Sequence, residues 1–469
     1  MKKKTAICTL FLASLGLASL ALAQPRPPAG KGPAPKGSAS SSSRPPASSS
    51  APPEAPRGLA ITQAVDEVAK ALGAQPGGAL VVAGPLVSDV EAPKGDELAL
   101  RVAAQLAGRL VAAKAHPQTQ PLAVARATAG RASALAYVAV EIAKGALRVT
   151  VDLYPVVSNG WERVRNPLPA PRAHGFAQAP IDAEVRSFLA PIVLERAQIH
   201  KAKHEEGEVV AVGCGDVDED GGLELVVVSR TRVALGRLRQ GRFVADRTAS
   251  WSALSPRAAV PLREPLGGAL ISPHGRAGSI YVGLTDRVGV RLDRALTPLG
   301  RIVGVPVAST SAPGCAVPVA AEGAFEGAVV DCDGESAAHL LLAPAARYDA
   351  FGAAPLVDRA SNKIVHTSAA REPSGKLRLR RGEHTQVVEG VGAQLAVADL
   401  DLDGVVEVAT SSDAAEDVLS VLSWDGGAVR QRLRVPAPGG VRALAACPPE
   451  ERGAPGLVAV VGSEVWLVR

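Results

Sequence analysis

Aromatic residues make up only 3% of this 469-residue chain, and its single methionine is Met1. Its core therefore has to be built from Val, Leu and Ala. So few rings argue against a broad base-stacking surface for nucleic acid. The surplus of positive charge is also local. The net charge is +5, but the first 57 residues carry +7, which leaves −2 from Gly58 onward. The globular part thus lacks a basic nucleic-acid footprint, and no nucleic-acid partner is expected. Beyond Leu22 no segment has the roughly 18 uncharged apolar residues that a spanning helix needs, so no transmembrane segment is expected in the mature chain. The patterns G-x-S-x-G, Walker A, H-E-x-x-H, C-x-x-C and G-x-G-x-x-G are all missing. Their absence removes the common sequence signatures of hydrolase, nucleotide, zinc-protease, redox and dinucleotide chemistry.

What is present begins with an export signal. Lys2, Lys3 and Lys4 precede an apolar run from Ala6 to Leu22, and Ala21-Leu22-Ala23 offers the small-x-small pattern of signal-peptidase cleavage before Gln24. The other reading of the run, a membrane anchor, suits its length less well. Cys8 lies inside the run and no Cys follows the cleavage site, so no lipid anchor is expected. Residues 1–23 are read as a signal peptide, and the mature protein as periplasmic or secreted. Residues 24–57 hold ten Pro and eight Ser, which forbid regular helix and give almost nothing to bury. They read as a disordered tether; its cations either serve solubility or rest on an anionic envelope.

From Gly58 the pattern changes. Leu59, Val65, Val68, Ala69 and Leu72 recur at helical spacing, and residues 79–83 read as a short buried strand. Residues 97–113 read as a second helix. Two alternating runs, 137–142 and 147–153, flank a turn at Lys144-Gly145 and predict a β-hairpin. Residues 181–194 predict another helix. This gives a small α/β domain over 58–200. After Gly207 short β runs separated by Gly, Pro and Asp take over, including 225–228, 279–282, 288–292, 339–342 and 457–461, the pattern of a sandwich, barrel or propeller.

Two segments share one pattern: strand, D-x-D-x-D-G-x-x-E, strand. One carries Asp216, Asp218, Asp220, Gly221 and Glu224; the other carries Asp399, Asp401, Asp403, Gly404 and Glu407. They resemble the FG-GAP/VCBS repeat family, the integrin-type β-propellers. That resemblance implies that each repeat is one four-stranded blade with a calcium-binding loop between two strands. Asp216 and Asp399 are 183 residues apart, about four blades at roughly 40–45 residues each, and residues 207–469 suffice for about six. Residues 328–334 keep only D-x-D-G, and the stretches near 283–286 and 376–381 keep none of the motif. The expected fold is mainly β: a C-terminal propeller of about six blades over 207–469, preceded by the small α/β domain. In order and size alone, this layout also resembles the TolB family of periplasmic envelope proteins.

Calcium takes six to eight oxygen ligands, and Asp at positions 1, 3 and 5 with an acid at position 9 supplies them. The expected ligands are Asp216, Asp218, Asp220 and Glu224 with the carbonyl of Gly222, and Asp399, Asp401, Asp403 and Glu407 with the carbonyl of Val405. Glu at position 9 departs from the family's usual Asp. The competing reading is a solvated turn, against which the mutual repulsion of clustered carboxylates counts. His200 and His204 stand at i, i+4, as zinc ligands do on a helix, but two flanking Lys favour a solvated connector. Trp251, Trp424 and Trp466 read as blade core rather than as a sugar platform.

Four Cys remain after signal removal: Cys214, Cys315, Cys332 and Cys447. They are either small buried hydrophobes or disulfides of one among three connectivities. In a closed ring the first and last blades are neighbours, which would pair Cys214 with Cys447 and leave Cys315 to Cys332. The function expected is non-catalytic recognition of an envelope or extracellular protein or glycan by a calcium-stabilised propeller. The rival is an exported enzyme with its active site at the propeller's central channel.

Overall fold

The computed structural model describes residues 59–469, apart from 74–76, 131, 158–159, 166–168, 256–261, 273–278, 309–312, 320–321, 334–346, 359–362, 413 and 450–454. The expected signal peptide, the tether and the β run at 339–342 lie outside the described residues.

Residues 60–186 form an α/β layer. Its sheet runs Lys114–Ala115, Leu80–Ala83, Ala134–Ala143, Ala146–Pro155, Ala173–Pro180, with Val87–Ser88 beside the third strand. The first three strands are parallel and the last three antiparallel. Two helices, Ala60–Leu72 and Gly95–Arg109, pack on this sheet. Ile61, Val65 and Val68 on one, and Leu98, Val102 and Leu106 on the other, bury against Val138, Val140, Val149 and Val151. The helical period and the strand alternation thus meet in one core. The first helix lacks a capping side chain of its own. Asp182 supplies one from far along the chain: Ala60 N–H donates to Asp182 Oδ2 at 2.8 Å, and Val185 N–H to Oδ1 at 2.9 Å. The hairpin turn falls at Lys144-Gly145, both at positive φ, as a two-residue turn between twisted strands requires.

The helix expected over 181–194 is corrected. Only Ala183–Arg186 is helical, followed by a 3-10 turn at Leu194–Arg196. Pro191 cannot donate within a helix and pushes Ala190 toward extended backbone, and Ala190 N–H donates instead to Glu91 O at 2.9 Å. The second helix begins at Gly95 and stops at Arg109, because Leu110 is extended.

The rest is a β-propeller with six blades among the described residues. The first is Val209–Gly215, Glu224–Ser229, Arg232–Arg239 and Arg242–Ser250; the second is Gly267–Ser272, Ser279–Leu284, Arg287–Leu292 and Pro298–Ile302. The third has three described strands, Val305–Val307, Gly314–Ala316 and Val330–Asp331. The fourth is Ala350–Asp358, Lys363–Arg371, Leu377–Arg381 and His384–Val388, and the fifth is Val391–Ala398, Val406–Ser412, Val418–Trp424 and Arg430–Pro436. The sixth is Val441–Cys447, Gly456–Val461 and Glu464–Val468, completed by Ile199–Lys203 from before the first blade.

That last strand closes the ring. It pairs antiparallel with Glu464–Val468, and its Lys203 meets Arg242 of the first blade. The propeller's chain therefore begins ahead of the expected boundary at residue 207. The His200–His204 segment is likewise neither a helix nor a solvated connector. His200 pairs with Leu467 in the closing strand, while buried His204 sits 3.2 Å from Gly462 O.

Inner strands of successive blades stand side by side around the channel, the first against the last. Glycine permits this approach. A Cβ on Gly215 of the first blade would lie 2.6 Å from Ile271 Cγ2 of the second. Trp251, Trp424 and Trp466 are buried in blade cores, as expected, and donate to Ser229 O, Gly427 O and Glu464 Oε2. Two disulfides are formed, Cys214–Cys447 and Cys315–Cys332. Among the described residues no helix is long and apolar enough to cross a membrane.

Candidate metal centres and the propeller channel

Both Asp-rich loops leave an inner strand and enter the next strand of their blade, the first between Gly215 and Glu224, the second between Ala398 and Val406. Their backbones match. Position 4 takes left-handed φ in each, at Glu219 (60°) and Leu402 (55°), and so does the glycine at position 6, at Gly221 (83°) and Gly404 (87°). Glycine adopts that conformation without penalty, which is why D-G closes both loops.

Their internal hydrogen bonds match as well. Asp216 accepts from Asp220 N–H (3.1 Å) and Gly221 N–H (2.9 Å); Asp399 accepts from Asp403 N–H and Gly404 N–H, both at 3.0 Å. Glu224 Oε2 accepts from Val217 N–H at 2.7 Å, and Glu407 Oε2 from Leu400 N–H at 2.9 Å.

The expected ligands converge in part. Asp216, Asp218 and Glu224 bring one carboxylate oxygen each within 4.8 Å of one another, and so do Asp399, Asp401 and Glu407. Asp220 and Asp403 lie outside these triads. Gly222 and Val405, expected to offer carbonyl oxygens, donate their N–H groups to Asp220 Oδ1 (2.8 Å) and Asp403 Oδ1 (2.7 Å). The longer Glu at position 9 is what lets a residue anchored in the second strand reach back under the loop.

The electrostatics of the two loops differ. In the first, the Arg237 guanidinium enters the cluster: Nη1 donates to Asp220 Oδ2 at 2.8 Å, and Nη2 to both Asp218 oxygens at 3.0 Å and into contact with Glu224. This arginine holds Asp220 below the usual carboxylate range. Burial raises Glu224, opposed by its bonds to Val217 and Arg237. In the second loop, burial pushes Asp399 up to about 7 and Glu407 up to about 9, with repulsion from neighbouring aspartates adding to both. Asp401 is raised by burial and by Asp403. Glu407 is fully buried, and its Oε1 has no hydrogen-bond partner among the described residues; Glu224 Oε1 likewise accepts no hydrogen bond there, but the Arg237 guanidinium lies against it. Arg432 touches this loop at Asp401 Oδ2 (3.2 Å) while its Nε donates to Glu195 Oε1 at 2.5 Å. A buried carboxylate oxygen without a donor, beside two more carboxylates, is the arrangement a hard cation satisfies.

The second loop also joins the propeller to the α/β layer. Leu402, at its tip, packs against the α/β core cluster, and Glu195 belongs to the 3-10 turn that follows that layer.

A channel of ≈ 1130 Å³ runs among the inner strands. Gly, Ala and Val make up about half of its wall. Charged groups include Glu208, Asp216, Asp220, Glu264, Asp349 and Arg442, with Lys144 and Arg148 contributed by the α/β hairpin. Sequence reasoning missed both Arg237 and the contribution of the hairpin to the channel.

No protein-family model and no curated protein matches the chain. Solved structures similar to it are propellers. AofleA from Arthrobotrys oligospora is 10% identical over 58% of this chain and 86% of its own, with a TM-score of 0.32. The β-propeller domain of Cps50 (Swd1) from Myceliophteria thermophila is 10% identical over 69% and 93%, with a TM-score of 0.31. A putative oxidoreductase (glucose dehydrogenase) from Thermus thermophilus is 15% identical over 58% and 99%, with a TM-score of 0.33. The assignment of the fold rests on the strand pairing described above.

Proposed function

We propose that this chain is an exported, non-catalytic binding protein of FG-GAP/VCBS type, whose calcium-stabilised propeller recognises a protein or glycan at the cell envelope. The observation that carries the calcium reading is the Asp399, Asp401 and Glu407 triad, where a fully buried carboxylate oxygen lacks any donor. Those three residues would hold the ion, which would act as a clip between two strands with no open position for catalysis.

Export is supported by the signal-like N-terminus and by two disulfides, a feature of oxidising compartments. A binding role is supported by the channel wall. About half of its described lining is small and apolar, Gly, Ala and Val, with acidic and basic groups set among them. The charged groups of the lining suit recognition of a polar ligand.

The test immobilises the full mature protein and challenges it with envelope extract and with a glycan array, in calcium and in chelator. Retention of one envelope protein or glycan class in calcium, and its release by chelator, is the expected result. Equal retention in both conditions, or turnover of an array glycan, contradicts the reading.

A further inference from the structure

The two loops agree in motif, backbone conformation and internal hydrogen bonds, yet differ at one position across the hairpin. In the fifth blade Glu407 pairs with Ser423. In the first blade Leu225 pairs with Gly236, and continuing that register sets Arg237 opposite Glu224. Resting on the calcium reading above, we propose that Arg237 takes the place of the ion in the first loop, so that the chain binds one calcium, at Asp399, Asp401 and Glu407.

Occupancy argues for it. The Arg237 guanidinium already donates to Asp218 and Asp220 at 2.8–3.0 Å and meets Glu224. Calcium would need the same oxygens at about 2.3–2.6 Å, which requires the guanidinium to leave. The planar fork of arginine satisfies several carboxylate oxygens at once and stays charged throughout the accessible pH range. The first loop is thus a metal-independent clip. In the second loop Ser423 is too short to fill the same space. Arg432 donates to Asp401 Oδ2 while Glu195 holds its Nε, and neither bond reaches Glu407 Oε1, which is left for the cation.

Calcium counting on the intact mature protein tests this, by equilibrium dialysis after chelator treatment. One ion per chain is expected for the wild type, none for Asp399→Asn and one for Asp218→Asn. Arg237→Ser, which copies Ser423 into the first blade, should bind two. Two ions in the wild type, or one retained in Asp399→Asn, overturn the proposal while leaving the calcium reading intact. No ion in the wild type overturns both. Should Arg237→Ser fail to fold, the wild-type count and the Asp399→Asn count decide the question without it.

Discussion

Cys214 and Cys447 sit 233 residues apart in sequence, with their Cα atoms 5.0 Å apart in the fold. They staple the inner strand of the first blade to that of the last, while the closing strand Ile199–Lys203 pairs at the far, outer edge of the sixth blade. The ring is thus fastened twice, covalently near the axis and by a hydrogen-bonded ladder at the rim.

Replacing Cys214 by Ser should lower stability by about 3–5 kcal/mol, because the bridge closes a very long loop in the unfolded chain. Cys315→Ser releases a loop of 17 residues and should cost less. Urea unfolding of both variants, with non-reducing peptide mapping of the wild type, measures this. Free thiols at Cys214 and Cys447, or an unchanged midpoint in Cys214→Ser, contradict it.

The rim ladder can be broken separately. Gln198 and Arg469 exchange backbone hydrogen bonds, and His204 N–H donates to Ser463 O. The same parity makes Ala202 a hydrogen-bonded partner of Val465. Ala202→Pro removes that donor from a buried position and should cost about 3 kcal/mol, whereas Lys201→Ala on the same strand should cost under about 1. Thermal melting of the two variants should separate them by several degrees; equal melting would mean that the strand does not close the ring.

Leu402 ties the second loop to the α/β layer. Leu402→Asp places a charge against the cluster that holds Val102 and Leu106 and should cost about 1–3 kcal/mol. Limited proteolysis should then cut the connection after Arg186 faster than in the wild type. An unchanged cleavage rate would detach the loop from any role at that interface.

The architecture was largely legible, and the reasons are local. Val138, Val140, Val149 and Val151 alternate strictly, and Lys144-Gly145 suits only a tight turn, so the hairpin could be read directly. The D-x-D-x-D-G-x-x-E loops announced themselves because conformation and chemistry are written in nine consecutive residues. What escaped is non-local. Residues 199–203 carry three polar side chains in five and are mostly exposed, with only Ala202 buried, so their pattern does not mark a strand. Asp182 caps a helix that begins 122 residues earlier. Arg237 enters the first loop from a different strand. Its one sequence signal is the register of the hairpin between Glu224 and Arg237, which sets the two charges opposite each other.

The metal-free protein should show an inverted pH dependence. Asp399 at about 7 and Glu407 at about 9 both lie above their unfolded values of roughly 3.9 and 4.3. The folded state therefore keeps protons that the unfolded chain has released, and this contribution is lost as pH rises from about 4 through 9. On the calcium reading proposed above, the ion would stand in for those protons. Urea midpoints in chelator should fall between pH 5 and 9, and the fall should be smaller in calcium. A chelated midpoint that rises or stays level over this range contradicts the buried, metal-free triad.

Calcium dependence of the fold is tested most directly by melting the mature protein in chelator and in calcium, with elemental analysis of the dialysed sample. An ion held at a concentration 100-fold above its dissociation constant stabilises the folded state by about 2.7 kcal/mol. For a domain of this size that is a rise of several degrees. The expected result is that rise, with calcium retained after dialysis. Identical melting curves together with no bound metal would contradict it.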